Sequence, residues 1–322
     1  MPKNAFLIIA YARSTVVSRL LSVLVANGVK DIFIAIDYPK TSQVELKQIE
    51  MLNAIQKISK DNSLVIHVWK RKYNQGSGAA VISAIDWFFS HVEQGVILED
   101  DLVVEADFIR YMELTLSAYK NSPDVIAVSG SNPFAENLPK DLGFVVNYPV
   151  AWGWGTWANK WLEIRTMIFS DGIGLKGYLH PILFSFWQTG KRRALSGKID
   201  AWDIPLASSM YSSNKITIIS PVNLVSNIGS DIHSSHTTKS QWPLHAALGK
   251  LPSNWMPTAH IPQLLNLNKM FERQIFGVKP IRIFSYPTSI IFDFFRFSSR
   301  GIKLIDRINL EPLPNEIKTK ES

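Results

Sequence analysis

Residues 96–102 read Val-Ile-Leu-Glu-Asp-Asp-Leu, an apolar run that delivers three successive carboxylates, Glu99, Asp100 and Asp101. Three adjacent like charges repel one another, and a divalent cation relieves that repulsion. Oxygen-only ligands suit Mg²⁺ or Mn²⁺, ions that keep several waters and take one or two protein carboxylates together with substrate phosphates. The triplet therefore predicts a cation bound jointly with a diphosphate. A solvated loop whose aspartates cap the following helix is the plain alternative, and one of the three is expected to serve that way.

Other residues are expected at the same rim. Arg13 and Asp37 each follow an apolar run of strand length, and in an open parallel sheet ligands bind beyond the carboxyl ends of the strands. A cation near a helix N-terminus is mildly unfavourable, which favours a ligand-contacting Arg13; Asp37 could equally cap a turn before Pro39. Lys70, Arg71 and Lys72 precede Asn74-Gln75-Gly76-Ser77-Gly78, a basic glycine-bearing turn opening a helix, where backbone amides can meet an anion. Arg71 and Asn74 are its candidate contacts; no Gly-Lys-Ser/Thr follows, so it is not a Walker A loop. Residues 151–161 hold Trp152, Trp154, Trp157 and Trp161, whose indole faces can either stack on a pyranose or form a buried hinge. Trp154 and Trp157 are the candidate sugar contacts. Displacing a nucleoside diphosphate needs a base on the opposite face, hence from another segment. Ile199-Asp200-Ala201-Trp202-Asp203 supplies two carboxylates, with Asp203 first and Asp200 in reserve, although Asp203-Ile204-Pro205 also reads as the start of a helix. The polar stretch 223–238 is too long for a routine connection and carries His233 and His236, either an exposed pair or, through His236, a diphosphate contact.

At this point a family resemblance enters. Ile-Leu-Glu-Asp-Asp-Leu-Val-Val-Glu-Ala-Asp-Phe at 97–108 resembles the metal-binding segment of N-acetylglucosaminyltransferase I, and residues 6–24 resemble its first strand and Arg-Ser-Thr-Val turn. Trp-Gly-Trp-Gly-Thr-Trp and Asn-x-Gly elements resemble a bacterial branch of haemolytic-protein-like sugar transferases. Residues 1–165 look like a GT-A nucleotide-sugar glycosyltransferase domain, and no match is visible beyond about residue 240. The resemblance implies Asp101 as the direct metal ligand, Glu99 and Asp100 facing the ribose and bound sugar, Arg13 on the nucleotide, and Asp37 at the uracil edge of a UDP-linked donor. Its Trp-Asp element carries the catalytic aspartate one position later, where this chain has Ile204. The implied partners are a nucleotide-diphosphate sugar and a glycan or lipid-linked glycan acceptor, joined with inversion, in bacterial surface-polysaccharide synthesis. Two rivals stay open: a sugar-nucleotide nucleotidyltransferase, against which the Ala-Arg-Ser-Thr first turn speaks, and an inactive binding module of the same fold.

The elements that must position these residues alternate. Strands are expected at Ala5–Ala10, Asp31–Asp37, Leu64–Val68, Val96–Leu98 and Val125–Ser129, with helices through Arg19, Leu20 and Leu24 closing near Gly28, at Thr41–Ile58, Ala79–Val92 and Glu105–Tyr119. Unbroken apolar strands joined by helices predict an α/β protein with a mostly parallel sheet covered on both faces. A basic helix is expected at Thr189–Ser196. Residues 1–240 are read as the GT-A domain, 1–130 for the donor and 131–240 for the acceptor, with 241–322 as an extension. Hydrophobic residues at 46% and charged ones at 19% of 322 residues exclude a disordered chain. Zero cysteines exclude a zinc ribbon, a disulfide scaffold and a thiol nucleophile. The charge of +7 suits phosphates or an anionic surface, yet no basic block singles out nucleic acid. No signal peptide or spanning helix is read, giving a cytoplasmic expectation. Residues 269–307 mix eight Lys/Arg against three Asp/Glu with Phe271, Phe276, Phe284 and further aromatics. They predict either peripheral membrane association or aromatics folded back onto the catalytic domain.

Overall fold

A computed structural model describes residues 4–140, 143–170, 181–229, 245–258, 267–276 and 303–314. Four apolar strands, β1 (Ala5–Ala10), β2 (Ile32–Ile36), β3 (Ile66–Lys70) and β4 (Gln94–Glu99), lie parallel in the order β3-β2-β1-β4, so their carboxyl ends share one rim. Beyond β4 come β8 (Trp154–Trp157), β6 (Val125–Ser129), β9 (Ile216–Ile219) and β7 (Phe144–Val146). β8 runs antiparallel between β4 and β6, β6 and β9 are parallel, and β7 closes the edge antiparallel. The expected mostly parallel α/β sheet is thus present, with an antiparallel strand set into its middle. A separate two-stranded sheet pairs β5 (Leu102–Val104) with β10 (Val225–Asn227).

Alternation along β1 explains the two-faced burial. Phe6, Ile8 and Ala10 pack with Val17, Leu20 and Leu24 of α1 (Ser14–Ala26), Met51 and Ile55 of α2 (Ser42–Asp61) and Leu116 of α4 (Ala106–Tyr119). Ala5 and Leu7 face the other way. They pack with Ala79, Ile82 and Ile85 of α3 (Gly76–Phe89), Trp161 and Ile164 of α5 (Ala158–Phe169), and Leu206 and Met210 of α7 (Asp203–Ser212). Between α5 and α7 lies α6 (Pro181–Leu195), which takes in most of the expected basic helix.

α2 begins as expected, with Thr41 accepting the Val44 amide at 3.3 Å. β3 lies two residues later than the sequence expectation and α3 starts three residues earlier, at Gly76. The described pieces of 241–322 pack against the sheet domain. Residues 251–252 accept the Arg110 guanidinium and Trp255 lies 5.3 Å from Tyr111. Phe271, following α8 (Leu267–Met270), joins a third cluster with Phe134, Tyr148 and Trp187. α9 (Leu304–Ile308) buries Leu304 and Ile308 in the α3 face. The aromatics of 269–307 that are described therefore fold back, while the remainder of that stretch, 277–302, lies outside the described residues. No helix among the described residues is long and apolar enough to cross a membrane.

Candidate active site at the carboxyl rim of the sheet

The acidic triplet sits at the end of β4 and the start of β5, and its three carboxylates meet three different fates. Asp100, 5% exposed, accepts the amides of Tyr11 at 2.6 Å and Ala12 at 3.3 Å, and pairs with the Arg13 guanidinium at 2.8 Å. It fastens the turn after β1 to the turn after β4, and Arg13 is its counter-ion. Asp101 is treated differently. Its backbone oxygen accepts the Ile228 amide at 2.8 Å, continuing the β5–β10 pairing. Its side chain is hydrogen-bonded by Asn227, yet Oδ1 is buried with no hydrogen-bond partner among the described residues. Burial and the neighbouring Asp100 charge push this carboxyl up to about 6, against the opposing pull of Arg13. Glu99 is raised well above the ordinary carboxylate range, by burial first and then by Asp101, Asp203 and Asp100. Glu99, Asp101 and Asp203 thus form an acidic cluster, and Arg13 offsets only part of it.

Asp203 opens α7 as an exposed residue, with Oδ1 accepting the Ile204 amide at 3.0 Å. Its charge reaches Glu99. Trp202 before it is buried and stacks on Trp154, centroids 5.5 Å apart at 21°.

Several sequence-predicted contacts are engaged inside the protein. Arg71 is 2% exposed, lies 3.8 Å over the Trp69 ring and donates to Ala80 O at 2.7 Å. Burial pulls its guanidinium down to about 10, partly offset by Asp37 and Glu311. Asn74 donates to Tyr38 O at 2.7 Å. Asp37 accepts the amides of Gln75 at 3.0 Å, Gly76 at 3.2 Å and Tyr38 at 3.0 Å, and burial raises its pKa. The next two amides, Ser77 and Gly78, go to Asp200 at 2.9 and 3.0 Å. The amides expected to meet a diphosphate are therefore occupied by carboxylates of the chain itself. Trp154 and Trp157 are also corrected. β8 lies within the sheet, so both are buried, at 3% and 1% exposure; Trp157 donates to Leu116 O and lies under Lys160. Neither presents a face on which a sugar could stack. His233 and His236 lie outside the described residues.

Asn227 and Gly229 were not among the candidates from sequence. Asn227 Oδ1 accepts the Gly229 amide at 2.8 Å, and a Cβ at residue 229 would overlap Asp101 Oδ2. The backbone there cradles the carboxylate, and Asn227-Ile228-Gly229 is the Asn-x-Gly signal that marked it. For a Mg²⁺ or Mn²⁺ ion the fit is that of a single hard-oxygen ligand. Asp101 offers an unpaired buried oxygen, and no group of three His, Asp or Glu side chains among the described residues is placed to hold a metal. The protein's share would be one carboxylate, the rest coming from a diphosphate and water.

The chain matches no protein-family model and no curated protein. Among solved structures it is similar to a mannose-1-phosphate geranyltransferase from Thermus thermophilus, at 9% identity and TM-score 0.36, over 67% of this chain and 74% of that one. It is similar to HddC from Yersinia pseudotuberculosis at 14% identity and TM-score 0.30, over 48% and 77%. A protein described as a glucose-1-phosphate thymidylyltransferase from Bacillus anthracis, in complex with a sucrose, aligns at 11% identity and TM-score 0.30, over 50% and 74%.

Proposed function

We propose that this protein is a metal-dependent GT-A-type glycosyltransferase that moves a sugar from a nucleoside-diphosphate donor, UDP-linked, to a glycan acceptor with inversion. The observation that carries the reading is Asp101: a cradled carboxylate at the strand rim with a buried oxygen that has no partner among the described residues, beside a second carboxylate that burial and three negative neighbours hold off its ordinary range. A bound Mn²⁺ or Mg²⁺ would supply charge neutralisation for the departing diphosphate. Arg13, anchored by Asp100, stiffens the turn over which the nucleotide lies. Asp203 takes the proton of the acceptor hydroxyl as that oxygen bonds to the anomeric carbon and the bond from this carbon to the diphosphate oxygen breaks. Glu99, within reach of the charges of both Asp101 and Asp203, borders the transferred sugar. The basic and aromatic composition of 277–302 fits a lipid-linked acceptor and a peripheral station at an anionic cytoplasmic membrane, in bacterial surface-polysaccharide assembly.

Thermal stabilisation by nucleotide sugars tests the reading, because a ligand bound only by the native state adds about 2.7 kcal/mol at one hundred times its Kd. A UDP-sugar with Mn²⁺ is expected to raise the Tm more than either alone, and the Asp101→Ala protein is expected to lose that synergy. Equal stabilisation with and without the cation overturns the metal assignment. Release of pyrophosphate from a nucleoside triphosphate and a sugar 1-phosphate would instead select the nucleotidyltransferase. Pelleting with anionic but not neutral liposomes at low salt checks the membrane station.

A further inference from the structure

α3 spans fourteen residues, and the amides at its start are claimed by carboxylates from two distant places. Asp37 takes Gln75 and Gly76, while Asp200, on the acceptor-side segment, takes Ser77 and Gly78. Asp200 is held further: its Oδ1 receives Arg307 Nη1 at 3.1 Å and its backbone oxygen accepts the Ser77 hydroxyl at 2.8 Å. The helix start is shaped for this guest. Gly76 has a φ of 75°, and a Cβ there would overlap Asp200 Oδ2; one at Gly78 would come within 3.1 Å of Oδ1. Arg307 lies on α9, which is fastened to the same region by buried Leu304 and Ile308. Glu311 follows, accepting the Lys72 amide at 2.8 Å and the Trp69 indole at 3.4 Å.

Two residues after Asp200, Trp202 stacks on Trp154, and Trp154 pairs with Ile97 of β4, two residues before Glu99. The peptide 200–202 is thus pinned at one end to α3 and at the other to β8, and Asp203 is the next residue.

We infer that Asp200 and Arg307 are positioning residues: the clamp from Arg307 through Asp200 to the start of α3, together with the Trp202 stack, fixes Asp203 opposite Glu99. The inference rests on the reading of Asp203 as the base. It takes Asp200 out of reserve as a base, because both its carboxylate oxygens are committed to amides and a guanidinium. It also makes the C-terminal segment 303–314 part of the site's frame.

Arg307→Met in the full chain tests this, with Asp200→Ala as the second variant. Misplacing a catalytic group by about 1 Å costs on the order of a hundredfold. Arg307→Met is therefore expected to lower kcat about ten- to a hundredfold with the donor KM unchanged, and Arg307→Lys to recover part of the loss. Introduced into Asp203→Asn, Arg307→Met is expected to add nothing, since a misplaced base and an absent one are equivalent. Amide exchange is expected to quicken together in peptides covering 75–80 and 199–206. An unchanged kcat in Arg307→Met, or an equal further loss in the Asp203→Asn background, overturns the inference and leaves the transferase reading standing. A wild type that turns over no nucleotide sugar overturns that reading instead. Exchange then decides the clamp: joint deprotection in both peptides supports it, and independent behaviour overturns it.

Discussion

The turn after β4 and the start of α3 lie on the same rim of the sheet, and both gather aspartates, but the chain treats them in opposite ways. At α3, Asp37 and Asp200 between them accept four consecutive amides, from Gln75 to Gly78. In the β4 turn Asp100 is satisfied just as fully, by two amides and Arg13, while its neighbour Asp101 keeps a buried oxygen without a partner among the described residues. A buried acceptor left unmatched costs about 1–3 kcal/mol, more when charged. At one rim, then, a carboxylate can be fully engaged by its own chain, as Asp37, Asp100 and Asp200 are, or left short of partners, as Asp101 is among the described residues.

Substitutions sharpen that contrast. The largest expected effect is that of Asp101→Ala, which should lower metal-dependent transfer by roughly a thousandfold, the scale of removing one electrostatic contact to developing charge. Its melting temperature should hold or rise, because a poorly compensated buried charge has gone; activity at saturating donor and metal with a lowered Tm would invert the comparison. Asp100→Ala should do the reverse, costing about 3 kcal/mol in denaturant unfolding by stranding two amides and Arg13. Asp203→Asn should lower turnover roughly a hundredfold, the usual scale for a general base, with donor affinity unchanged in steady-state kinetics. Near-normal turnover would leave Asp203 only the role it plays at the start of α7, where Oδ1 accepts the Ile204 amide. The smallest effect is that of Asp37→Asn, which keeps one carboxylate-like acceptor for two of three amides and should cost about 1 kcal/mol by chemical denaturation.

Much of the fold was legible because parallel strands buried on both faces read as apolar runs; β1 occupies the residues expected of it, Ala5–Ala10. The start of α3 lies three residues ahead of its expected place for a reason that no local pattern contains: its first amides are satisfied by residues 37 and 200. The triplet itself was legible, but the division of labour between Asp100 and Asp101 was not, because Tyr11, Arg13, Asn227 and Gly229 decide it across the chain. Arg71 reads as an anion contact because it stands in a basic run beside a glycine-bearing turn. Strand alternation was the available signal, with Lys70 and Lys72 exposed and Arg71 turned inward onto Trp69. Trp154 and Trp157 were ambiguous because an indole suits a core strand as well as a sugar.

The bond from the Lys72 amide to Glu311 spans 239 residues, and that from the Trp69 indole to Glu311 spans 242. A ribosome makes β3 early and Glu311 late, so these contacts cannot form until all the chain between them has been synthesised. Contacts of such separation form slowly, because loop closure must come first. The edge strand β3 therefore waits through most of synthesis for these contacts, and chain order itself makes its completion a late event in folding.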